Sequence, residues 1–519
     1  MHKDLREDAA DAAARVLDTN WTGSYTVPAT GLYPHQWSWD SAFVAIGNRH
    51  REPSRARREL VTLLEAQWTD GRVPQIVYDV GRDDDYAPGA EFWQSGPHSG
   101  PATSGLVQPP VHAWAAWLVH CADPVGSAQE GFLARVYPRL TRWHAYLHGR
   151  RSGRVDLPVA KHPWETGTDN SPLWDTALER VPPEARTPIR RPDLQHAGAG
   201  ERPGSRDYRR YYRLAENYRD AGCADDVPIG FAMVCPLFST LLAVSEIALG
   251  RIVAALADEG NGPGVSGARG GAGQARGGAG GLRGSAGGLR GSAGGLRSGA
   301  GGDRDGWPAA PTDEPSPPTG EPGPLDDVLA PSAAELEHRR TADRVIAAMD
   351  EHLWDEDLGL YVALDLTAGE RVRRATVNGL VPLLLSGLDS SAAYDARRTD
   401  RLLATLTGPG FLGGGPFLPS TSRADRAFDP ALYWRGPSWF NMSWLLLRAV
   451  RALGRDDLDA RLREHFTTAP QGFPEYTDPD TGAGRGTRQF SWTAALTLDT
   501  HLSTEAELLP HASTQSLRP

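Results

Sequence analysis

The amino-acid sequence predicts an all-α fold with minor β pieces, on three observations. Apolar residues recur at three-to-four spacing through ten stretches, which is the period of an amphipathic helix. Alternating strand patterns are scarce and short. The helical stretches are interrupted chiefly by one Gly-rich segment in the middle of the chain, which has no apolar period at all.

The predicted helices follow one another along both halves of the chain. They are Asp4–Leu17, Arg55–Trp68, Val111–Cys121, Phe132–Leu147, Phe231–Leu256, Ala333–Leu353, Asn378–Leu388, Thr399–Leu406, Trp439–Leu453 and Trp492–Leu502. Shorter stretches bring the expected total to roughly a dozen helices. The best strand patterns are RVPQIVYDV and LGLYVALDL.

Composition excludes several classes of protein. The 519 residues are 40% hydrophobic and 23% charged, and the net charge of −11 argues against a nucleic-acid or anionic membrane partner. Three cysteines, Cys121, Cys223 and Cys235, form no CxxC pair, which fits a reducing compartment. No secretion signal and no run of about 18 apolar residues is present. We therefore expect a cytoplasmic protein, whose oligomeric state stays open.

The stretch from 260 to 324 breaks the helical organisation. The heptad GGLRGSA recurs in tandem there and a Pro-rich piece follows. Such a composition buries too little apolar surface to offset chain entropy, so we expect disorder. The Arg-Gly spacing resembles RNA-binding segments, but interleaved aromatic residues are missing, which favours a surface-loop insertion. The predicted organisation is one catalytic domain (1–259 and 325–505), the disordered insertion (260–324) and a C-terminal tail (506–519).

Aromatic and charged clusters come directly before several predicted helices. GLYPHQWSWD precedes SAFVAIGNR, YWRGPSW precedes FNMSWLLLRAVRAL, and GRGTRQFSW precedes TAALTLDTHL. If the helices alternate as inner and outer layers of a toroid, the N-termini of the inner helices meet at one end and the clusters converge into one bowl. Many of the 16 tryptophans fall in these clusters, and indole faces stack well on sugar rings. The alternative is that the tryptophans belong to the core.

Cleavage of a glycosidic bond needs one carboxylic acid and one carboxylate. Asp40, Asp169, Asp175 and Glu475 lie in suitable aromatic, Gly/Pro-shaped contexts. TDNSP around Asp169 also suits a helix cap, and Glu475 also suits a solvated loop. We identify no zinc motif, P-loop, GxSxG elbow or strand-linked GxGxxG, and DPDTGAGRGTRQ departs from a calcium loop. We therefore expect no metal and no cofactor.

Five motifs in order carry a family resemblance. GLYPHQWSWDSAFVAIG, SGLVQPPVHAWA, WETGTDNSPLWD, YWRGPSWFNMSWLL and FPEYTDPDTGAGRGTRQFSWTAA together resemble glycoside hydrolase family 63, most of all its compact bacterial mannosylglycerate and glucosylglycerate hydrolases. The resemblance implies an (α/α)6 barrel and inverting hydrolysis of an α-linked sugar in a small carbohydrate substrate.

The resemblance also implies roles for single residues. Asp169 matches the general acid and Glu475 the general base. The positions that match sugar contacts are Tyr33, Gln36, Trp37, Trp39, Asp40, Gln108, Trp434, Arg435, Gly436, Gln489 and Trp492. Arg202 and Tyr208 match an Arg and a Tyr that grip the substrate carboxylate in glycerate-specific members, for which an Arg fork is well suited. The alternative for this segment is an exposed helix in which Arg213 and Glu216 pair.

Two positions depart from the family pattern and leave the sugar preference open. Gln75 stands where relatives often carry His, and Cys235 replaces a common Asp. Three functions remain: an inverting glycosidase acting on glucosylglycerate or mannosylglycerate, the same chemistry on a neutral substrate such as trehalose, or a non-catalytic carbohydrate-binding protein. For the first, we hypothesise that a wall of low polarity keeps Asp169 protonated, and that the two catalytic carboxyl groups lie roughly 6.5–9.5 Å apart.

Overall fold

Helices make up most of the described chain in the computed structural model, which covers residues 2–79, 81–82, 86–94, 100–261, 332–388, 395–468 and 472–503. The α-helices are α1 (His2–Thr19), α2 (Ser38–Asn48), α3 (Pro53–Glu65), α4 (Ala90–Trp93), α5 (His112–Ala122), α6 (Pro124–Gln129), α7 (Phe132–Gly149), α8 (Asp175–Glu179), α9 (Asp193–His196), α10 (Ser205–Asp220), α11 (Pro236–Asn261), α12 (Ala333–His352), α13 (Ala396–Thr407), α14 (Phe440–Ala452), α15 (Asp456–Thr467) and α16 (Ser491–Leu502). Short 3-10 helices include Pro163–Thr166, Pro172–Trp174, Ala199–Glu201, Val377–Gly379, Val381–Gly387 and Leu412–Gly414.

The helices divide into two kinds by burial. Every residue of α2 is buried, as are Ser491–Thr500 of α16, whereas α13 buries only Leu402 and Leu406. A helix that is buried all round belongs to an inner layer, and one with a single buried stripe belongs to an outer layer. The sequence thus encodes two layers.

Inner and outer helices alternate along the chain as the family resemblance implies. The outer members are α1, α3, α7, α12, α13 and α15, and the inner ones are α2, α5, α11, the 3-10 helix Val381–Gly387, α14 and α16. The last inner helix, α16, packs against α1 and α2, so the ring closes. The prediction of an (α/α)6 toroid is confirmed.

One predicted inner α-helix takes a different form. The periodic stretch Asn378–Leu388 folds as two consecutive 3-10 helices instead of one α-helix. Pro382 has no N–H to donate to an α-helical ladder, and Gly379 adds backbone freedom, so the tighter turn is accepted here. Five residues of the second 3-10 helix are buried, and it packs against α14 as an inner helix should.

Short strands join the ends of the helices. They are β1 (Gln36–Trp37), β2 (Ile76–Val77), β3 (Val159–Ala160), β4 (Met233–Val234), β5 (Trp354–Asp355), β6 (Leu360–Tyr361), β7 (Ala363–Asp365), β8 (Glu370–Val372), β9 (Tyr476–Thr477) and β10 (Gly484–Arg485). β3, β4, β7 and β8 form one antiparallel sheet in that order, and β1–β2, β5–β6 and β9–β10 are antiparallel pairs. The two predicted strand patterns contribute β2, β6 and β7.

Helix α11 is strongly apolar. Among the described residues, one helical segment, Pro236–Glu259, is long and apolar enough to cross a membrane, with a mean hydropathy of 1.8 in its apolar window. However, 67% of that window is buried inside the protein. An inner helix of a toroid is apolar all round because other helices surround it.

A buried ion cluster ties inner helices together near their C-terminal ends. Asp499 of α16 accepts a hydrogen bond from Arg49, which follows α2, at 2.8 Å and from the indole N–H of Trp444 of α14 at 2.7 Å. Arg448 of α14 pairs with the same carboxylate. Burial alone would raise the pKa of Asp499, but the two guanidinium groups hold it well below its usual range. Each charge is paired, as a buried charge must be.

The predicted insertion and tail fall largely outside the described residues. Gly260 and Asn261 form the end of α11. The remainder of 260–324 and all of 506–519 are not described, so the predicted disorder of the insertion and the predicted C-terminal tail stay predictions. The described residues before Asn261 and from Ser332 onward belong to one compact unit.

Candidate active site

A cavity lies where inner helices begin. Its wall includes residues of the first turns of α2 and α16 and of the segments that precede α2, α5 and α14. Ten of the fifteen predicted site residues line it: Tyr33, Trp37, Trp39, Asp40, Gln108, Asp169, Arg202, Tyr208, Glu475 and Trp492. The wall therefore collects side chains that are far apart in the sequence.

Asp169 lies on a turn that hydrogen bonds hold in place. Its own carbonyl accepts from the hydroxyl of Tyr211 at 2.9 Å, and the carbonyl of Thr168 accepts from the indole N–H of Trp174 at 2.8 Å. The side chain of Ser171, not that of Asp169, caps the following short helix. Since the cap is already supplied, the Asp169 carboxyl is left on the cavity wall.

The tryptophans around Asp169 play different parts. Trp164 lines the cavity, whereas Trp174 is fully buried in the core. Gly167 has a φ of +71°, and a Cβ built there would lie 2.5 Å from the Trp39 ring. Only glycine permits this close contact, which brings the ring and the Asp169 turn together.

Two carboxyl groups on the wall have strongly raised pKa values. Burial raises the pKa of Asp169 to about 7; the charges of Glu475 and Asp193 add to the rise and that of Arg202 opposes it. Burial, reinforced by Glu475, also raises the pKa of Asp40 to about 8. Desolvation penalises the charged form, so both groups retain a proton at pH values well above those at which a carboxyl group usually ionises.

Glu475 lies in the opposite environment, among hydrogen-bond donors. Its Oε1 accepts from the hydroxyls of Tyr33 at 3.0 Å and Tyr433 at 3.1 Å. Its Oε2 accepts from Arg202 Nη2 at 2.7 Å and from the amide N–H of Thr487 at 3.3 Å. A carboxylate is an acceptor-only group, and this arrangement suits its ionised form. The sequence-based alternative of a solvated loop residue is wrong, since Glu475 is 1% exposed.

The segment that carries Arg202 is tied to the β9–β10 hairpin beside Glu475. The Glu201 carboxylate accepts from Arg485 at 3.2 Å and from the amide N–H of Gly486 at 3.2 Å. Arg202 itself is 4% exposed and donates through Nη1 to the Tyr33 hydroxyl at 3.0 Å. The guanidinium therefore lies inside the cavity, next to the Glu475 carboxylate.

The alternative interpretation of this segment as an exposed helix is wrong, because seven residues of the helix are buried, Glu216 among them. The residues after Arg202 do form a helix, α10, and Tyr208 on it lines the cavity. The expected pair of Arg213 and Glu216 is also wrong. Glu216 accepts instead from the amide N–H of Arg186 at 2.9 Å. The face of α10 that carries Tyr208 is thus turned toward the cavity.

Aromatic rings form much of the cavity wall. Trp39 meets Trp492 edge to face with 5.4 Å between ring centroids, and Tyr33 meets Trp37 in the same way at 5.5 Å. Gln108 Oε1 accepts from the backbone N–H of Trp39 at 3.2 Å, which fixes the start of α2. Such rings offer apolar faces to a sugar ring, while the carboxyl and amide groups can bond its hydroxyls.

Five predicted contact residues lie outside the cavity wall: Gln36, Trp434, Arg435, Gly436 and Gln489. Gln36 precedes Trp37 on β1, and successive side chains of a strand point to opposite faces. Trp37 takes the cavity side, so Gln36 points into the protein and donates to Ser41 Oγ at 3.1 Å.

In the YWRGP motif, Trp434 and Arg435 were predicted to line the cavity but lie behind its wall. Trp434 stacks on Trp439 with 3.8 Å between ring centroids. Arg435 donates to Asp175 at 3.0 Å, which also explains the third acidic residue of the WETGTDNSPLWD motif. Tyr433, the first residue of the motif, is the one that reaches the cavity.

Gly436 and Gln489 have backbone roles. A Cβ at Gly436 would lie 2.2 Å from the carbonyl oxygen of Asp429, so only glycine fits. Gln489 is exposed, has a φ of +52°, and accepts at its carbonyl from Asn20 Nδ2 at 2.8 Å. Neither position offers a side chain to the cavity.

Several wall residues were absent from the predicted set. Tyr433 and Trp164 stand in motifs that were quoted for the family, so their place in those motifs could have suggested them. Gln75 lines the cavity, and its departure from the family pattern therefore falls at the site itself. Asp193 comes from the long segment before Arg202, where no local sequence pattern points to a site.

Comparison with known proteins identifies the family. The model of the mannosylglycerate hydrolase MGH1-like glycoside hydrolase domain matches residues 33–268 and 327–493. The chain belongs to this family of glycoside hydrolases. The mannosylglycerate hydrolase of Rubrobacter radiotolerans is 34% identical over 512 residues, which are 95% of this chain and 96% of that protein. The glucosylglycerate hydrolase of Mycolicibacterium hassiacum is 32% identical over 514 residues, which are 94% and 97%.

Solved structures agree with this assignment. The family 63 mannosylglycerate hydrolase from Thermus thermophilus, determined in complex with Tris and D-glycerate, superposes with a TM-score of 0.73 at 30% identity, covering 95% of this chain and 99% of that one. A neutral trehalase from Saccharomyces cerevisiae, with a TM-score of 0.50 and 14% identity over 94% of this chain and 76% of that one, shares the fold alone. This glycoside hydrolase therefore has the toroid fold that its sequence predicts.

Proposed function

We propose that this glycosidase hydrolyses the α-glycosidic bond between a hexose and glycerate with inversion at the sugar carbon. Asp169 is the general acid and Glu475 the general base. The observation that carries the proposal is a single cavity holding one carboxyl group with a pKa near 7 and one carboxylate among four donors. Such a pair is what two-carboxylate hydrolysis requires.

The environments of the two groups support the roles that the family resemblance gives them. With its pKa raised to about 7, Asp169 is protonated in about half of the molecules at neutral pH and can deliver that proton to the oxygen of the leaving glycerate. Glu475 has oxygens that only accept, so it can take a proton from a water molecule that attacks the sugar from the other face. Inversion follows when that water, and not the carboxylate, forms the new bond to carbon.

Arg202 supports a carboxylate on the leaving group. Its guanidinium is buried in the cavity, where it donates to Glu475 and lies 4.6 Å from the centre of the Tyr433 ring. A glycerate carboxylate entering this region competes with Glu475 for the same guanidinium. When the substrate takes that donor, Glu475 Oε2 is released for the attacking water. A neutral leaving group has no charge with which to compete.

The relatives differ in the sugar that their names give. Those named above are a mannosylglycerate hydrolase and a glucosylglycerate hydrolase. Glycerate is common to both names, so glycerate as the aglycone has more support than either sugar has. We propose mannose or glucose as the hexose.

Proton NMR of the products tests this function directly. The protein is given α-mannosylglycerate, α-glucosylglycerate, the corresponding neutral glycerol glycosides and trehalose. We expect the β-anomer of the sugar to be released first, and the glycerate glycosides to react far faster than the neutral ones. Initial release of the α-anomer would refute inversion, and equal rates on the glycerol glycosides would refute the glycerate assignment.

Variants of two arginines serve as an internal check on that panel. Arg202→Gln should lower the preference for glycerate over glycerol glycosides by roughly 10- to 100-fold, the usual worth of a charge-assisted hydrogen bond. Arg209→Gln is the matched control, because Arg209 is exposed on α10 and does not line the cavity. Its preference should stay that of the unmodified protein.

The pH dependence of kcat/KM should report the acid. Because the pKa of Asp169 is about 7, kcat/KM should be high below pH 7 and fall about tenfold per pH unit above it. A rate that stays constant through neutral pH and above contradicts Asp169 as the acid. The measurement is kcat/KM across a pH series with constant ionic strength.

A further inference from the structure

Three histidines and one glutamate converge between α7, α11 and α12, away from the cavity. His144 Nδ1 and His148 Nε2 each lie 2.8 Å from Glu246 Oε1. His338 Nδ1 lies 2.7 Å from Glu246 Oε2. None of the four side chains lines the active-site cavity. We call this group the histidine cluster.

The helices present these side chains to one point. His144 and His148 are four residues apart on α7, so they share one face of that helix. Glu246 lies on the inner helix α11 and His338 near the start of α12. The sequence analysis found no zinc motif because the cluster is assembled from three helices and only one pair is close in the chain.

The donor atoms lie close enough together to reach one metal ion. One ligand atom each from His144, His148 and Glu246 lies within 4.8 Å of the others. A tetrahedral ion with bonds of about 2.0–2.1 Å keeps its ligand atoms roughly 3.3 Å apart, so small side-chain movements would admit one. The hydroxyl of Tyr137 lies 3.2 Å from His338 Nε2, the outer contact that commonly orients a metal-binding imidazole.

Burial and access also suit an ion. The side chains of His144 and Glu246 are 3% and 2% exposed, whereas those of His148 and His338 are 29% and 18% exposed. The cluster thus has a dry side and an open side through which an ion can enter. A group of histidines on the surface would have no dry side, and a group sealed in the core would have no open side.

We propose that the histidine cluster is a binding site for a divalent transition-metal ion, with Zn²⁺ the best match. Three imidazoles and one carboxylate match the donor set that Zn²⁺ takes in proteins. Mg²⁺ and Ca²⁺ prefer oxygen ligands and do not fit.

The ion has a structural role. Glu246 lies ten residues beyond Pro236, where α11 begins, or roughly 15 Å along the helix at 1.5 Å per residue. The ligands on α11 and α12 are 92 residues apart and flank the Gly-rich segment. A metal ion bound by both helices closes this long loop. Closing a loop costs more chain entropy the longer the loop is, so a link across a long loop stabilises the fold more than a link across a short one. The ion would hold the two halves of the toroid together across the insertion.

Zinc binding by the full-length protein tests the proposal. Protein stripped with EDTA and dialysed is titrated with ZnCl2 alone by calorimetry, and melting is followed by circular dichroism. We expect one Zn²⁺ per chain, a Tm higher by about 2–5 °C at saturating zinc, and reversal by EDTA. Co²⁺ in the same site should give visible absorption bands of a tetrahedral centre.

Two variants make the result specific. His148→Ala removes a partly exposed ligand, so it should fold, yet it should lose stoichiometric zinc binding and the zinc-dependent rise in Tm. His352→Ala, on α12 with a comparably exposed side chain at 30%, is the control and should keep both. Absence of zinc uptake by the unmodified protein, or equal uptake by His148→Ala, would overturn the proposal. Neither readout depends on glycosidase activity, so the proposed function can fail independently.

Discussion

The Asp169→Asn variant should lose about 10²- to 10⁴-fold in kcat/KM on glycerate glycosides, the range typical of a missing general acid. The amide has the shape of the carboxyl group but cannot deliver a proton to the leaving oxygen. Steady-state kinetics on α-mannosylglycerate and α-glucosylglycerate measure the loss. A rate near that of the unmodified protein would remove Asp169 from the mechanism.

The leaving group separates acid catalysis from misfolding in this variant. An α-glycosyl fluoride needs little protonation of its leaving group, so Asp169→Asn should retain much more of its activity on the fluoride than on the glycerate glycoside. Asp175→Asn is the matched control, since the Asp175 carboxylate pairs with Arg435 outside the cavity. We expect it to lose at most a few-fold on either substrate.

Stability should change in the direction set by the raised pKa. The unfolded chain ionises Asp169 near its ordinary pKa of 3.8, and the folded protein only near 7. Between these values the folded state binds a proton that the unfolded state has lost, so stability falls as pH rises through this window. The Asn side chain cannot ionise, and Asp169→Asn should therefore have the higher Tm at pH 8, with little difference at pH 4.

The second large effect is expected for Glu475→Gln, which should lower kcat/KM by a similar 10²- to 10⁴-fold. Here the fluoride substrate should not restore activity, because the missing step is the activation of water. Steady-state kinetics on the glycerate glycoside and on the α-glycosyl fluoride measure both effects. Recovery on the fluoride would assign the acid role, and not the base role, to Glu475.

The stability of Glu475→Gln should move opposite to that of Asp169→Asn. Arg202 loses its buried counter-charge, and an unpaired buried charge destabilises a protein by about 3–5 kcal/mol. Chemical denaturation at pH 7 measures the free energy of unfolding. Asp480→Asn, at a half-exposed position on the same hairpin where the carboxylate pairs with Arg423, is the control and should cost less than about 1 kcal/mol.

Much of the fold could be predicted because it depends on local patterns. The apolar period marks α14 and α16 to within a residue or two of their observed ends. The predicted helix Phe231–Leu256 begins five residues early, since Pro236 is the first residue of α11 and proline is favoured at the start of a helix. The stretch Asn378–Leu388 has the period of a helix, but its proline converts it to 3-10 geometry.

The candidate site was predictable where a residue type is tied to its chemistry. The paired carboxyl groups and the aromatic clusters before inner helices could be named from the sequence, and they do line one cavity. Which member of a motif reaches the cavity could not be named. In YWRGP it is Tyr433, because Trp434 is held against Trp439 by ring stacking that only the folded chain brings about.

The sequence by itself determined the predominantly helical fold and four candidate carboxyl groups, since apolar period and residue chemistry are properties of the chain, and the family resemblance chose Asp169 and Glu475 among the four. The tertiary structure decided the pKa of Asp169, the pairing of Arg202 with Glu475 and the histidine cluster on α7, α11 and α12. Each of these depends on distances between residues far apart in the chain. Desolvation and charge interactions act through space, and only folding sets those distances.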